Sequence, residues 1–297
     1  MNIILKWLSN SALARMAVTA EQRESAPTPE GLEIIPNVSY TGQDGAVLAA
    51  DIYRPAGHHE PLPVVVMVHG GGLFVGNRTL NSAFCQKLAG QGYLLFSIDY
   101  RLIHETDGCG EIADVSAGFS FVQNNMAAYG GDPKRVCVMA ESAGAFLAVY
   151  AAALTSSAEL ADMLRCTPSD LPIRALVCFS GMFYTAKHDP IGAVYRSALY
   201  GPRRKDKDFM RRMNPEHADV ISNLPPMLLT SSRADFLRWY TLRYAKALRR
   251  NGHPCQLEYY KGDRRLTHAF PSLQPELPQS VEVVERIQHW LNGIVNE

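Results

Sequence analysis

His69-Gly70-Gly71-Gly72 closes one apolar run of this chain. Ala140-Glu141-Ser142-Ala143-Gly144 closes another, and Thr267-His268-Ala269-Phe270 lies near the C-terminus. Each motif could supply one part of an acyl-transfer reaction. A serine between small residues at the end of a buried strand can be pushed out as a nucleophile, and a late histidine can take its proton. A glycine run leaves backbone N–H groups free to hold an oxyanion. Glycine at its average usage of about 7% makes a chance His-Gly-Gly-Gly rare, and this one directly follows Val64-Val65-Val66-Met67-Val68.

Val136-Cys137-Val138-Met139 reads as a buried strand and the Ala- and Leu-rich stretch from Ala143 as a helix, so Ser142 occupies the turn between them. The helix N-terminus there favours developing negative charge. The plainer role for Ser142 is a helix N-cap, and Ala140 stands where the G-x-S-x-G pattern has its first glycine. The glycine loop weighs toward chemistry. Two glycines would serve a turn, whereas three let backbone approach a substrate carbonyl, with the amides of Gly71, Gly72 and Ala143 as the oxyanion hole. His69 is expected to be a structural hydrogen-bonder at the loop base. The acid should fall between serine and histidine in the chain. Asp235 follows the strand-like Pro225 to Thr230, and His268 follows Glu258-Tyr259-Tyr260, which puts both on loops at strand ends. Asp235 would accept from His268 Nδ1–H and leave Nε2 for the Ser142 proton. The plainer role for Asp235 is to cap the helix beginning at Leu237, but chain order and placement weigh toward the triad, with Asp263 or Glu258 as alternative acids.

Elements that could hold these residues follow from the pattern of apolar runs. Segments 34–40 and 47–53 read as a hairpin around Thr41-Gly42-Gln43-Asp44-Gly45. Short apolar runs at 64–69, 93–98, 136–139, 173–180, 227–231 and 256–260 then alternate with helical segments at 80–90, 112–129, 143–154 and 237–250, and a closing helix spans 279–291. Continuous apolar strands alternating with helices predict an α/β fold, a mostly parallel sheet covered on both faces. The interval 183–222 breaks the rhythm: it has no strand-like run, is helical in flavour and is basic around Arg203-Arg204-Lys205-Asp206-Lys207. A cap insertion is the reading for 183–222, joined by a helical segment at 1–30, over a core of 31–182 and 223–297. Residues 1–20 carry Ile3, Ile4, Trp7, Leu8 and Leu13 at helical spacing, but Lys6, Asn10 and Arg15 interrupt any secretory apolar stretch. No segment has the length of a membrane span.

Composition narrows the partners. Lys+Arg and Asp+Glu balance at 29 each, so there is no nucleic-acid footprint. The six cysteines are scattered without a CxxC pair, which favours reduced thiols and a cytoplasmic home and argues against a zinc site. The motifs above point instead to a small-molecule substrate of acyl transfer.

From about Pro61 onward the chain resembles the hormone-sensitive-lipase-like branch of the α/β-hydrolases, which contains bacterial carboxylesterases. His69-Gly70-Gly71-Gly72, Asp99-Tyr100-Arg101-Leu102, Gly130-Gly131-Asp132-Pro133 and Glu141-Ser142-Ala143-Gly144 carry the likeness. Leu224-Pro225-Pro226 leading to Asp235, Tyr244-Ala245 and His268-Ala269-Phe270 complete it. The resemblance implies Ser142 as nucleophile, His268 as base, Asp235 as acid, the oxyanion hole above, a helical cap, and a family in which homodimers are frequent. Three features depart from it: Ala140 and Ala269 replace family glycines, and Ile103-His104-Glu105 replaces a usual Ala-Pro-Glu. The expected activity is cofactor-free hydrolysis of carboxylic esters with short to medium acyl chains. An amidase, arylformamidase or peptidase-like use of the same triad is the alternative, and a non-catalytic ligand binder is the non-enzymatic one. Phe74, Tyr100, Phe183, Tyr184 and Tyr195 are candidates for the pocket wall.

Overall fold

The structure, a computed structural model, describes residues 29–295. The expected helical segment 1–30 lies outside the described residues but for its last two.

Strands β1 (Leu32–Thr41) and β2 (Val47–Pro55) pair antiparallel around a turn that Gly42 N closes onto Ala46 O at 2.7 Å. Strands β3 (Leu62–Val68), β4 (Leu94–Ile98), β5 (Gly131–Glu141), β6 (Ile173–Phe179), β7 (Met227–Ser232) and β8 (Cys255–Tyr260) run parallel, and β2 joins them antiparallel to β4. The sheet order is β1-β2-β4-β3-β5-β6-β7-β8. In β3, Val64, Val66 and Val68 enter one core while Val65 and Met67 enter the other. The apolar run is continuous because both faces are covered. One core is completed by α1 (Ser82–Gly90), α9 (Phe270–Leu273) and α10 (Pro278–Val295), and the other by α2 (Gly108–Asn125), α3 (Ser142–Leu154) and α8 (Arg238–Arg250). Every residue of α3 is buried, as an all-round apolar helix requires.

The sheet matches the expected α/β architecture, with differences at element ends. Helix α2 begins four residues before the expected 112 because Asp107 accepts from the Cys109 and Gly110 amides. It gives way at Met126 to a 3-10 turn that ends on Gly130 at φ 87°. Helix α4 (Ala158–Leu164), capped by Ser157, was not expected. The interval 183–222 holds no strand. It folds as α5 (Pro190–Tyr200), a 3-10 turn, α6 (Lys207–Arg212) and α7 (Ala218–Ile221), with Tyr195, Leu199, Tyr200 and Phe209 buried toward the α2–α3 core.

Glu111 on α2 is fully buried, and among the described residues neither carboxyl oxygen has a hydrogen-bond partner. Burial, reinforced by the charges of Asp107 and Asp114, pushes its pKa well up, so the folded chain holds it protonated. Above the ordinary glutamate range the unfolded chain releases a proton that the native state keeps, so stability falls as pH rises through that window. Glu111→Gln has no charge to bury. Melting curves should place it about 2–4 °C above wild type at pH 8 for each kcal/mol relieved, with no gain at pH 4.

Candidate active site

Register brings the distant motifs together. Val68 pairs with Ala140, so the glycine loop and the serine turn leave neighbouring strands at one level. Glu141 is extended (φ −124°, ψ 149°), and the chain bends at Ser142, whose φ is +49°. A Cβ at Gly144 would lie 2.3 Å from His69 O and 2.5 Å from Val68 O, so only glycine lets α3 start against the end of β3. Glu141, the capping residue of α3, makes no side-chain cap bond, and the Ser142 hydroxyl turns to the histidine instead.

Ser142 Oγ lies 2.8 Å from His268 Nε2, and His268 Nδ1 lies 2.7 Å from Asp235 Oδ1. Asp235 is fully buried. Burial drives its pKa up, but the hydrogen bond and charge of His268, then the Ser231 hydroxyl and Leu237 amide, outweigh that and hold it below the ordinary carboxylate range. An anionic Asp235 only accepts, so Nδ1 carries the proton and Nε2 presents its lone pair to Ser142. Ser231 Oγ donates to Asp235 Oδ2 at 2.6 Å and Leu237 N to Oδ1 at 2.9 Å. Asp235 therefore serves both as partner of His268 and as acceptor for the Leu237 amide just before α8. The alternative acids are engaged elsewhere: Asp263 with Arg265, and Glu258 with Gln256 and Arg286.

In the glycine loop every carbonyl is tied down. Gly70 O accepts from neutral His69 Nδ1 at 2.7 Å, burial having pulled the His69 pKa down. Gly71 O accepts from Phe74 N and Val75 N, both at 3.2 Å, and Gly72 O accepts from the Tyr195 hydroxyl at 2.7 Å. Gly71 and Gly72 have φ of +110° and +64°, and a Cβ on Gly71 would lie 1.8 Å from Val75 O. Among the described residues the Gly71 and Gly72 amides donate to nothing. The Ala143 amide lies in the first turn of α3, where helix geometry supplies no acceptor. The arrangement can present three unspent donors beside a hydroxyl whose proton has an acceptor.

Several supports have no signal in local sequence. Buried Glu141 accepts from Gly70 N at 3.2 Å and from the Ser272 hydroxyl, linking the loop to α9. Ala269 adopts φ +51°, a left-handed backbone that costs a residue with a Cβ about 1–2 kcal/mol, while its amide donates to Ser180 Oγ at 2.9 Å. Ser180 and Leu73 share that region, at φ 51° and 64°. Of the candidate pocket residues, Phe74 and Tyr195 lie together beside Gly72 with ring centroids 5.6 Å apart. Tyr100 lies under the loop, its ring stacked on His69 at 4.2 Å and its hydroxyl donating to His69 O at 3.0 Å. Phe183 packs on Tyr244, and the Tyr184 hydroxyl donates to Glu216.

A family model described as BD-FAE matches residues 50–240, well over half of the chain. The isoprenylcysteine alpha-carbonyl methylesterase ICME of Arabidopsis thaliana is 30% identical over 196 residues, which cover 63% of this chain and 45% of that protein. The carboxylic ester hydrolase LipN of Mycobacterium tuberculosis is 28% identical over 264 residues, 84% of this chain and 68% of LipN. The chain spans about half the length of the plant methylesterases it matches. Among solved structures, a phosphonate-inhibited esterase B from Lactobacillus rhamnosis superposes with a TM-score of 0.87 at 23% identity, covering 100% of this chain and 97% of its own. A hyperthermophilic esterase from Pyrobaculum calidifontis superposes at 0.69 and 24% identity, covering 98% and 93%. The fold is that of the α/β-hydrolases.

Proposed function

Because the chain belongs to the BD-FAE family and carries a nucleophile, a base and an acid in one hydrogen-bonded row, we propose that it hydrolyses carboxylic esters through an acyl-enzyme on Ser142. The observation that carries this reading is the pair of contacts at His268, 2.8 Å to Ser142 Oγ and 2.7 Å to Asp235 Oδ1. His268 Nε2 takes the Ser142 proton as Oγ attacks the ester carbonyl. The oxyanion that forms is held by the Gly71, Gly72 and Ala143 amides. His268 then gives its proton to the leaving alcohol, and water activated by the same nitrogen releases the acid. Asp235 keeps the imidazole in the required tautomer and stabilises it when charged.

Relatives named as methylesterase, carboxylic ester hydrolase and carboxylesterase favour an ester over an amide substrate. Phe74 and Tyr195 beside Gly72 support a bounded acyl side and short to medium acyl chains. We read 183–222 as the cap, since the Tyr195 hydroxyl on α5 of that insertion holds the oxyanion loop. A cytoplasmic location belongs to the same reading: all six cysteines are free, and among the described residues no helix is long and apolar enough to cross a membrane.

A fluorophosphonate probe should modify the chain once, on the peptide carrying Ser142, as read by mass spectrometry. Absence of label, or label elsewhere, would remove the assignment.

A further inference from the structure

Among the described residues three large apolar side chains are strongly exposed, and two of them, Phe236 at 68% and Trp239 at 66%, lie three positions apart in the chain just after Asp235. The Phe236 ring packs on the imidazole with centroids 4.3 Å apart. Trp239 follows three residues on, in the first turn of α8. Its ring is backed by the Arg238 guanidinium at 5.1 Å, and Arg238 is itself anchored on Asp235 O at 3.2 Å. The platform is thus tied to the loop that carries the acid.

Its place relative to the reaction identifies what would lie on it. In the tetrahedral intermediate the oxyanion points at the Gly71 and Gly72 amides, and the leaving oxygen must sit at His268 Nε2 to receive a proton. The alcohol half of the ester therefore departs past the imidazole, over the residue packed against it. Resting on the ester-hydrolase reading, we propose that Phe236 and Trp239 form an open alcohol-side subsite whose preferred leaving groups are bulky and aromatic. A small alcohol ends at Nε2 and touches neither ring. A fused aromatic alcohol extends past the imidazole over Phe236 toward Trp239 and covers apolar surface that otherwise faces water. An open platform suits this role, because an enclosed pocket would set an upper limit on alcohol size.

The test compares 2-naphthylmethyl acetate with ethyl acetate, whose leaving alcohols are similar in acidity, on the full chain. Trp239→Ala should lower kcat/KM for the naphthylmethyl ester about tenfold and leave ethyl acetate within about twofold, with Trp239→Phe recovering most of the loss. Trp239 touches neither Ser142 nor the oxyanion donors, so basal turnover reports that the machinery is intact. Equal losses on both esters would overturn the proposal, as would no loss on the aromatic one or an effect that follows acyl length instead. If residues 1–28 rather than substrate cover the pair, iodide will fail to quench Trp239 in the Trp7→Phe, Trp290→Phe protein, where it is the sole tryptophan. That result also overturns the proposal. Failure of the underlying reading looks different: Ser142→Ala would then keep its rate on ethyl acetate.

Discussion

Ser142→Ala is expected to lower kcat for p-nitrophenyl butyrate by a factor on the order of 10⁵ while the protein melts where wild type does. The size follows from the loss of the covalent route. Without Oγ the His268 lone pair faces empty space, and only water held near the oxyanion amides can attack, a path worth far less than the acyl-enzyme. The fold should tolerate the change. Ser142 caps no helix, its hydroxyl contacts only His268, and alanine meets the same backbone demand at φ +49°. Stopped assays with purified variant, and circular dichroism melts alongside, separate the two effects. Wild-type turnover in the variant would eliminate the mechanism.

Asp235→Ala should cost on the order of 10⁴ in kcat with the same ester, whereas Asp235→Asn should cost less, on the order of 10² to 10³. The ranking comes from what surrounds the carboxylate. An asparagine in a triad is damaging chiefly when its NH₂ faces the imidazole and forces the wrong tautomer. Here Oδ1 accepts from both His268 Nδ1 and the Leu237 amide, which can only donate, so the carbonyl oxygen of an asparagine must take that position. The NH₂ then faces Ser231 Oγ, which can rotate its hydroxyl and accept. The tautomer survives and only the negative charge is lost. Equal kcat values for the two variants would show that the tautomer is not protected in this way.

The hydrogen-bonded row of Ser142, His268 and Asp235 could be anticipated from the chain because each member has a local signal: a serine between small residues at a strand end, and an acid and a histidine on loops after later strands. The inner parallel strands were readable because burial on both sides makes them continuous apolar runs. Their ends were not. Lys134 and Arg135 hide the first half of β5, whose side chains there reach solvent. Helix α2 starts among Gly108 and Gly110, poor helix formers that Asp107 overrides by capping. The least legible features are contacts between distant elements. The Tyr195 hydroxyl on Gly72 O spans 123 residues, and the Ser272 hydroxyl on Glu141 spans 131. Neither leaves a trace in spacing or periodicity. Ser231 lay close to view, four residues before Asp235, but serines before a loop are too common to single out.

Leu73, Ser142, Ser180 and Ala269 all sit at φ between 49° and 64°, and each lies in, or hydrogen-bonds to, a segment that carries the glycine loop, Ser142 or His268. None of them is glycine, so each dihedral must be enforced by surroundings rather than chosen by the chain. Whole domains keep only roughly 5–15 kcal/mol in hand, and a tense cleft leaves a correspondingly thin margin in the scaffold around it. Damage far away, in either layer of helices, should thus be felt at the cleft before it is felt anywhere else: turnover fades while the sheet still holds its shape.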